Sequence, residues 1–128
     1  MTKDEAVKSW LESAERNLSA SSDMAKSNHR DWALFIGQLA LEKLLKGLIT
    51  KKTDATPPFI HDLVKLSQLA GIETTPDQKQ NLAKITRFHV AARYDEIKSQ
   101  LYFEATPEFT KEWIGKIQEF FSWFKKLY

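Results

Sequence analysis

The chain has 128 residues, a length that suits one domain burying roughly two-thirds of the surface its unfolded form exposes. Its 19 Lys and Arg against 17 Asp and Glu leave a formal net charge of +2, too balanced for bulk electrostatics to argue nucleic-acid binding. No cysteine occurs, which excludes disulfides, thiolate metal sites and a cysteine nucleophile.

The opening segment, MTKDEAVKSW, lacks the apolar core of a signal peptide. Thr2 and Glu5 stand at capping-box spacing and predict a helix over about 4–26. Val7, Trp10, Leu11, Ala14, Leu18 and Ala25 recur on one of its sides, with polar residues on the other. Residues 27–30 form a polar turn, and a second helix is predicted over about 31–52. Its stretch from Trp32 to Ile49 is apolar nearly all the way round, whereas a surface helix carries one apolar stripe. Such a helix must be surrounded by protein. Glu42, Lys43 and Lys46 interrupt it, so no run of about 18 apolar residues is left to span a membrane. A cytoplasmic location is the simplest expectation.

Gln38, Glu42 and Lys46, spaced i, i+4, i+8, draw one polar line along this helix. Two readings are open. The line is either a solvated strip with a Glu42–Lys46 helix pair, or the wall of an internal polar groove whose groups need partners or a ligand. Phe35 and Ile49 share that face and favour burial.

Pro57 and Pro58 end the second helix region firmly. A short third helix is predicted over about 61–70, with Leu63, Leu66 and Leu69 inward and Gly71 at its C′ position. At its start Asp62 suits a helix N-terminus, and His61 is either a cap or packing residue or a member of a site. Thr75, Pro76 and Gln78 signal a fourth helix whose apolar face holds Leu82, Ile85 and Phe88 or His89. Residues 91–105 have no sustained period and read as irregular or partly helical. Within Arg87–Asp95, His89 and Arg93 share a face if the helix continues. Arg93 suits phosphate and Tyr94 suits a base; the competing reading pairs Arg93 with Asp95 or Glu42 to pin the segment. Thr106-Pro107 opens a last helix, about 107–126, with a wide apolar arc of Phe109, Trp113, Ile114, Ile117, Phe120, Phe121, Phe124 and Leu127.

Strand-like alternation and internal repeats are absent from the sequence, so the expected fold is one all-α domain, 1–128, an antiparallel bundle of four to five helices. Phosphate-binding loops and HExxH are missing, and His29, His61 and His89 lack zinc-ligand spacing. Neither a metal nor a cofactor is expected.

Gln38-x3-Glu42-Lys43-x2-Lys46, then Pro58-x2-His61-Asp62-Leu63, then Ala92-Arg93-Tyr94 resemble, in order and spacing, the HEPN family of small prokaryotic helical domains. The resemblance implies a four- or five-helix bundle, often dimeric and often encoded beside a small nucleotidyltransferase. Some HEPN proteins are ribonuclease toxins that use an Arg-x4-6-His motif at a dimer cleft. This chain departs from that motif: Arg87 precedes His89 by two positions, and no histidine follows Arg93. The expected function is therefore a non-catalytic module for a nucleotide, a nucleic acid or a partner nucleotidyltransferase, in a toxin–antitoxin-like pair and as a homodimer. Its expected ligand-binding residues are Gln38, Glu42, Lys46, His61, Arg93 and Tyr94, with Lys46 and Arg93 facing phosphate. The alternatives are a metal-independent ribonuclease with a noncanonical Arg/His pair and a purely structural assembly domain. The arc of the last helix, with Trp123 outside it, offers either a dimer surface or a buried C-terminal helix.

Overall fold

Capping chemistry delimits the helices where the sequence placed it. A computed structural model describes the backbone of residues 1–91 and 95–128 and the side chains of 1–89 and 100–128. Among the described residues there are six helices and no strand: α1 (Lys3–Lys26), α2 (Arg30–Thr53), α3 (Leu63–Leu69), α4 (Pro76–Ala91), α5 (Asp95–Glu104) and α6 (Pro107–Lys125). Thr2 and Glu5 close a reciprocal capping box on α1. Thr75 and Gln78 exchange the same pair of bonds before α4, and Thr106 accepts from the Phe109 amide at the start of α6. Gly71 takes φ 74° just past α3, a backbone conformation that costs a side-chain-bearing residue more.

α2 is the central member. It is buried on nearly every side from Ala33 to Ile49, as its apolar girth requires. α1 and α6 cover one side, α3 and α4 another. Two glycines let the first pair approach closely. A Cβ at Gly37 would lie 2.8 Å from Ile117 Cδ1, and one at Gly47 would lie 2.8 Å from Trp10 Cβ and closer still to the Tyr128 hydroxyl. Tyr128 reaches that position to donate to the Leu44 carbonyl at 2.5 Å, and burial raises its phenol far above the ordinary value.

Two local expectations are revised, and a third, left open between irregular and partly helical, is narrowed. α3 begins at Leu63, with Asp62 as its N-cap accepting from Val64 and Lys65, so His61 stands in the connecting loop. Leu69, the last residue of α3, is exposed, because six residues at about 100° each turn it roughly 120° away from Leu63. Residues 95–104, aperiodic in sequence, are helical; tertiary contacts supply what the pattern lacks, with Leu101 and Ala105 buried and Arg30 Nε donating to the Ala105 carbonyl at 2.8 Å. The arc of α6 is used inside the chain: Trp113, Ile117, Phe120, Phe121 and Phe124 all belong to the core. No helix among the described residues is long and apolar enough to cross a membrane.

Candidate functional site

The polar line of α2 is buried, which excludes a solvated strip, while the Glu42–Lys46 helix pair of that reading is formed. Gln38 is 0%, Glu42 4% and Lys46 7% exposed, on the side of the helix that meets α3 and α4. Helical spacing stacks the three side chains, and they bond along the stack. Lys46 Nζ lies 3.0 Å from Glu42 Oε2, while Gln38 Nε2 donates to Glu42 Oε1 at 3.2 Å and to the His61 carbonyl at 3.0 Å. The second of those bonds fixes the loop that carries His61. Its imidazole Nδ1 then sits 2.9 Å from Glu42 Oε1, the geometry of an Nδ1–H donating to a carboxylate.

Burial by itself pushes the Glu42 carboxyl up, but the bonds from His61, Lys46 and Gln38 and the charge of Lys46 outweigh it and hold the group below its ordinary value. Glu42 is thus a buried carboxylate with every oxygen engaged. Gln38 is less complete. Its carboxamide nitrogen serves two acceptors, which fixes the orientation, and its oxygen is buried with no hydrogen-bond partner among the described residues. Native proteins seldom leave such an atom without a donor.

The other wall comes from α4. Thr86 Oγ1 accepts from the Leu63 amide at 3.0 Å, tying the start of α3 to this helix. Three residues on, on the same face, His89 is 5% exposed. Its ring stacks on His61 with centroids 3.8 Å apart and an interplanar angle of 25°. Phe35 packs against His89 at 5.2 Å, and Trp32 meets Phe35 edge-on at 6.1 Å. Four rings therefore run in series from α2 to the loop before α3. Both ends reach the surface: Trp32 is 39% exposed, as is the His61 side chain.

Of the residues singled out in the sequence, Gln38, Glu42, Lys46 and His61 come together in one cluster. Arg93 and Tyr94 lie outside the described residues. Lys46 does not have the phosphate-facing position expected of it, since it is buried and its ammonium is committed to Glu42. His89 and Phe35 are additions to the cluster. Phe35 shares a face with Gln38 and Glu42, so helical spacing alone could have found it; the meeting of His89 with His61 depends on how α4 docks. Glu42, His61 and His89 are also the one set of three or more His, Cys, Asp or Glu residues among those described whose donor atoms cluster closely enough to hold a metal ion. Beyond Lys46 a separate cleft of about 390 Å³ opens between the start of α1 and the proline loop, with Trp10, Pro57 and Pro58 in its lining.

A family model described as HEPN domain matches residues 7–127, nearly the whole chain. Among solved structures, that of TT1696 from Thermus thermophilus is similar, with a TM-score of 0.79, 20% identity and coverage of 95% of this chain and 98% of that one. At that identity the likeness is one of fold. Among curated proteins none matches.

Proposed function

The chain belongs to the HEPN domain family, and on that footing we propose that it is a non-catalytic helical module that binds a nucleotide or single-stranded RNA at the ring run beside Glu42. The observation that carries this reading is the series Trp32–Phe35–His89–His61, with an exposed ring at each end. Bases of any identity stack on such faces. The polar core beneath has a definite part: Glu42, held by Lys46 and Gln38, fixes the orientation of His61. Arg93, four residues after His89 in sequence, is the proposed phosphate contact, and Tyr94 an additional base contact. The homodimer and the small nucleotidyltransferase partner expected from the family resemblance fit this reading as its setting, since an enzyme that handles nucleotides and a module that holds one suit each other.

A second reading, the ribonuclease, is favoured by one observation: a carboxylate-oriented imidazole, half-exposed, is the arrangement of a general base. Against it, the two histidines stack at 3.8 Å, leaving no room for a phosphate between them as an acid–base pair would require.

Fluorescence anisotropy with a labelled single-stranded oligoribonucleotide tests both. Binding should weaken about five- to 150-fold in Trp32→Ala and in His61→Ala, the span of about 1–3 kcal/mol for one base–aromatic stack. Cleavage of that RNA by the native protein, lost in His61→Ala and in Glu42→Gln, selects the ribonuclease instead. No binding of RNA or ATP by any form selects the structural assembly domain.

A further inference from the structure

We propose that Glu42, His61 and His89 form a binding site for a divalent transition-metal ion of the zinc class. One carboxylate oxygen and one nitrogen from each imidazole all lie within 4.8 Å of one another. The three residues come from the middle of α2, the loop before α3 and the end of α4, so no ligand spacing marks them in the sequence. Two imidazoles and one carboxylate suit zinc, nickel or copper, whereas magnesium and calcium prefer all-oxygen sites.

The cluster has the anatomy of a metal site beyond its donors. Glu42 and His89 are buried and His61 is half-exposed, which leaves one open side for entry. The carboxylate is held by outer groups, with Lys46 on Oε2 and Gln38 on Oε1, as metal-binding carboxylates usually are. The buried Gln38 oxygen without a partner among the described residues supplies a second, independent sign, since a water on a bound ion is a donor it could accept from. Ligand atoms around a tetrahedral zinc are about 3.3 Å apart, given bonds of about 2.0–2.1 Å. The pair His61 Nδ1 and Glu42 Oε1, at 2.9 Å, already has that scale. The stacked rings do not, because the lone pairs of near-parallel imidazoles run side by side and do not converge. Binding therefore requires His61 to turn out of its stack, which its loop position and exposure permit. It also requires the Nδ1 proton now aimed at Glu42 to leave to solvent or move to Nε2. Lys46 beside the carboxylate lowers the affinity by its positive charge.

This inference is independent of base binding and needs no nucleotide to be tested. Untagged protein is titrated calorimetrically with Zn²⁺, in two buffers of different ionisation enthalpy, and with Co²⁺ followed by visible absorption. One site per chain is expected, with the intensified absorption of a low-symmetry Co²⁺ complex. Glu42→Gln and His61→Ala should each weaken binding tenfold or more, at least the effect of losing an outer-shell partner. His29→Gln, on the exposed turn before α2, should bind as the native chain does. Circular dichroism checks the fold of each variant, and the Co²⁺ spectrum of the native protein stands even if a variant fails to fold. No uptake by native protein at submillimolar metal, or uptake unchanged in both cluster variants, overturns the site.

Discussion

The two sides of α2 are made of the same helix and do opposite things. Towards α1 and α6 it offers Gly37 and Gly47, so that Ile117, Trp10 and Tyr128 sit almost on its backbone. Towards α3 and α4 it offers Gln38 and Glu42, which bond to one another and to the His61 loop. The first side gains stability from close packing. The second buries charge, which packed apolar residues of similar volume would often match or exceed in stability. That difference separates what holds the bundle from what the bundle holds.

The sharpest way to break the comparison is to remove Glu42. In Glu42→Ala the Lys46 ammonium loses its carboxylate inside the core, and breaking a buried pair this way costs about 3–5 kcal/mol; urea unfolding followed by circular dichroism should record a loss of that order. On the packed side, Gly47→Ala should cost about 1–3 kcal/mol by overpacking. The Tyr128 hydroxyl, the nearer obstacle, must yield together with Trp10 Cβ, and its bond to the Leu44 carbonyl goes first. Adding Tyr128→Phe should recover part of the loss if the hydroxyl is the obstacle.

The smallest expected effect is in pH. Glu42 has its carboxyl held below the ordinary value of 4.5, so the unfolded chain binds a proton there more readily than the folded one. The stability it contributes is complete above about pH 4.5 and is lost as pH falls through the folded value. Urea midpoints measured across that window should fall more in the native protein than in Glu42→Gln. Equal falls would mean that other carboxylates carry the acid sensitivity.

Much of this contrast was legible in the sequence because it is local. The caps at Thr2, Thr75 and Thr106 and the turn at Gly71 are made within a few residues, and each formed as its spacing implied. The girth of α2 and the line of Gln38, Glu42 and Lys46 follow from helical period alone. What was not legible depends on docking. Helix α5 has no period of its own and is helical through neighbours such as Arg30. His89 could be placed on α4, but its stack with His61 depends on Thr86 fixing the start of α3. The family resemblance puts Lys46 on phosphate, whereas its i, i+4 spacing offers Glu42; that pair is the one formed, in a burial that spacing cannot reveal.

The central claim is that the Glu42 side of α2 positions a ligand-binding ring run, with His61 belonging more to the ligand than to the fold. Thermal melts of the native protein and His61→Ala, each with and without ATP or a single-stranded oligoribonucleotide, test it most directly. Removing His61 takes one hydrogen bond from Glu42 and should cost only about 1–2 kcal/mol. A ligand at a hundredfold excess over its Kd should stabilise the native chain by about 2.7 kcal/mol, a rise of several degrees in Tm, and His61→Ala by less, about 0.3–1.8 kcal/mol for one lost stack. An equal rise in both proteins, or none in the native one, would contradict the account.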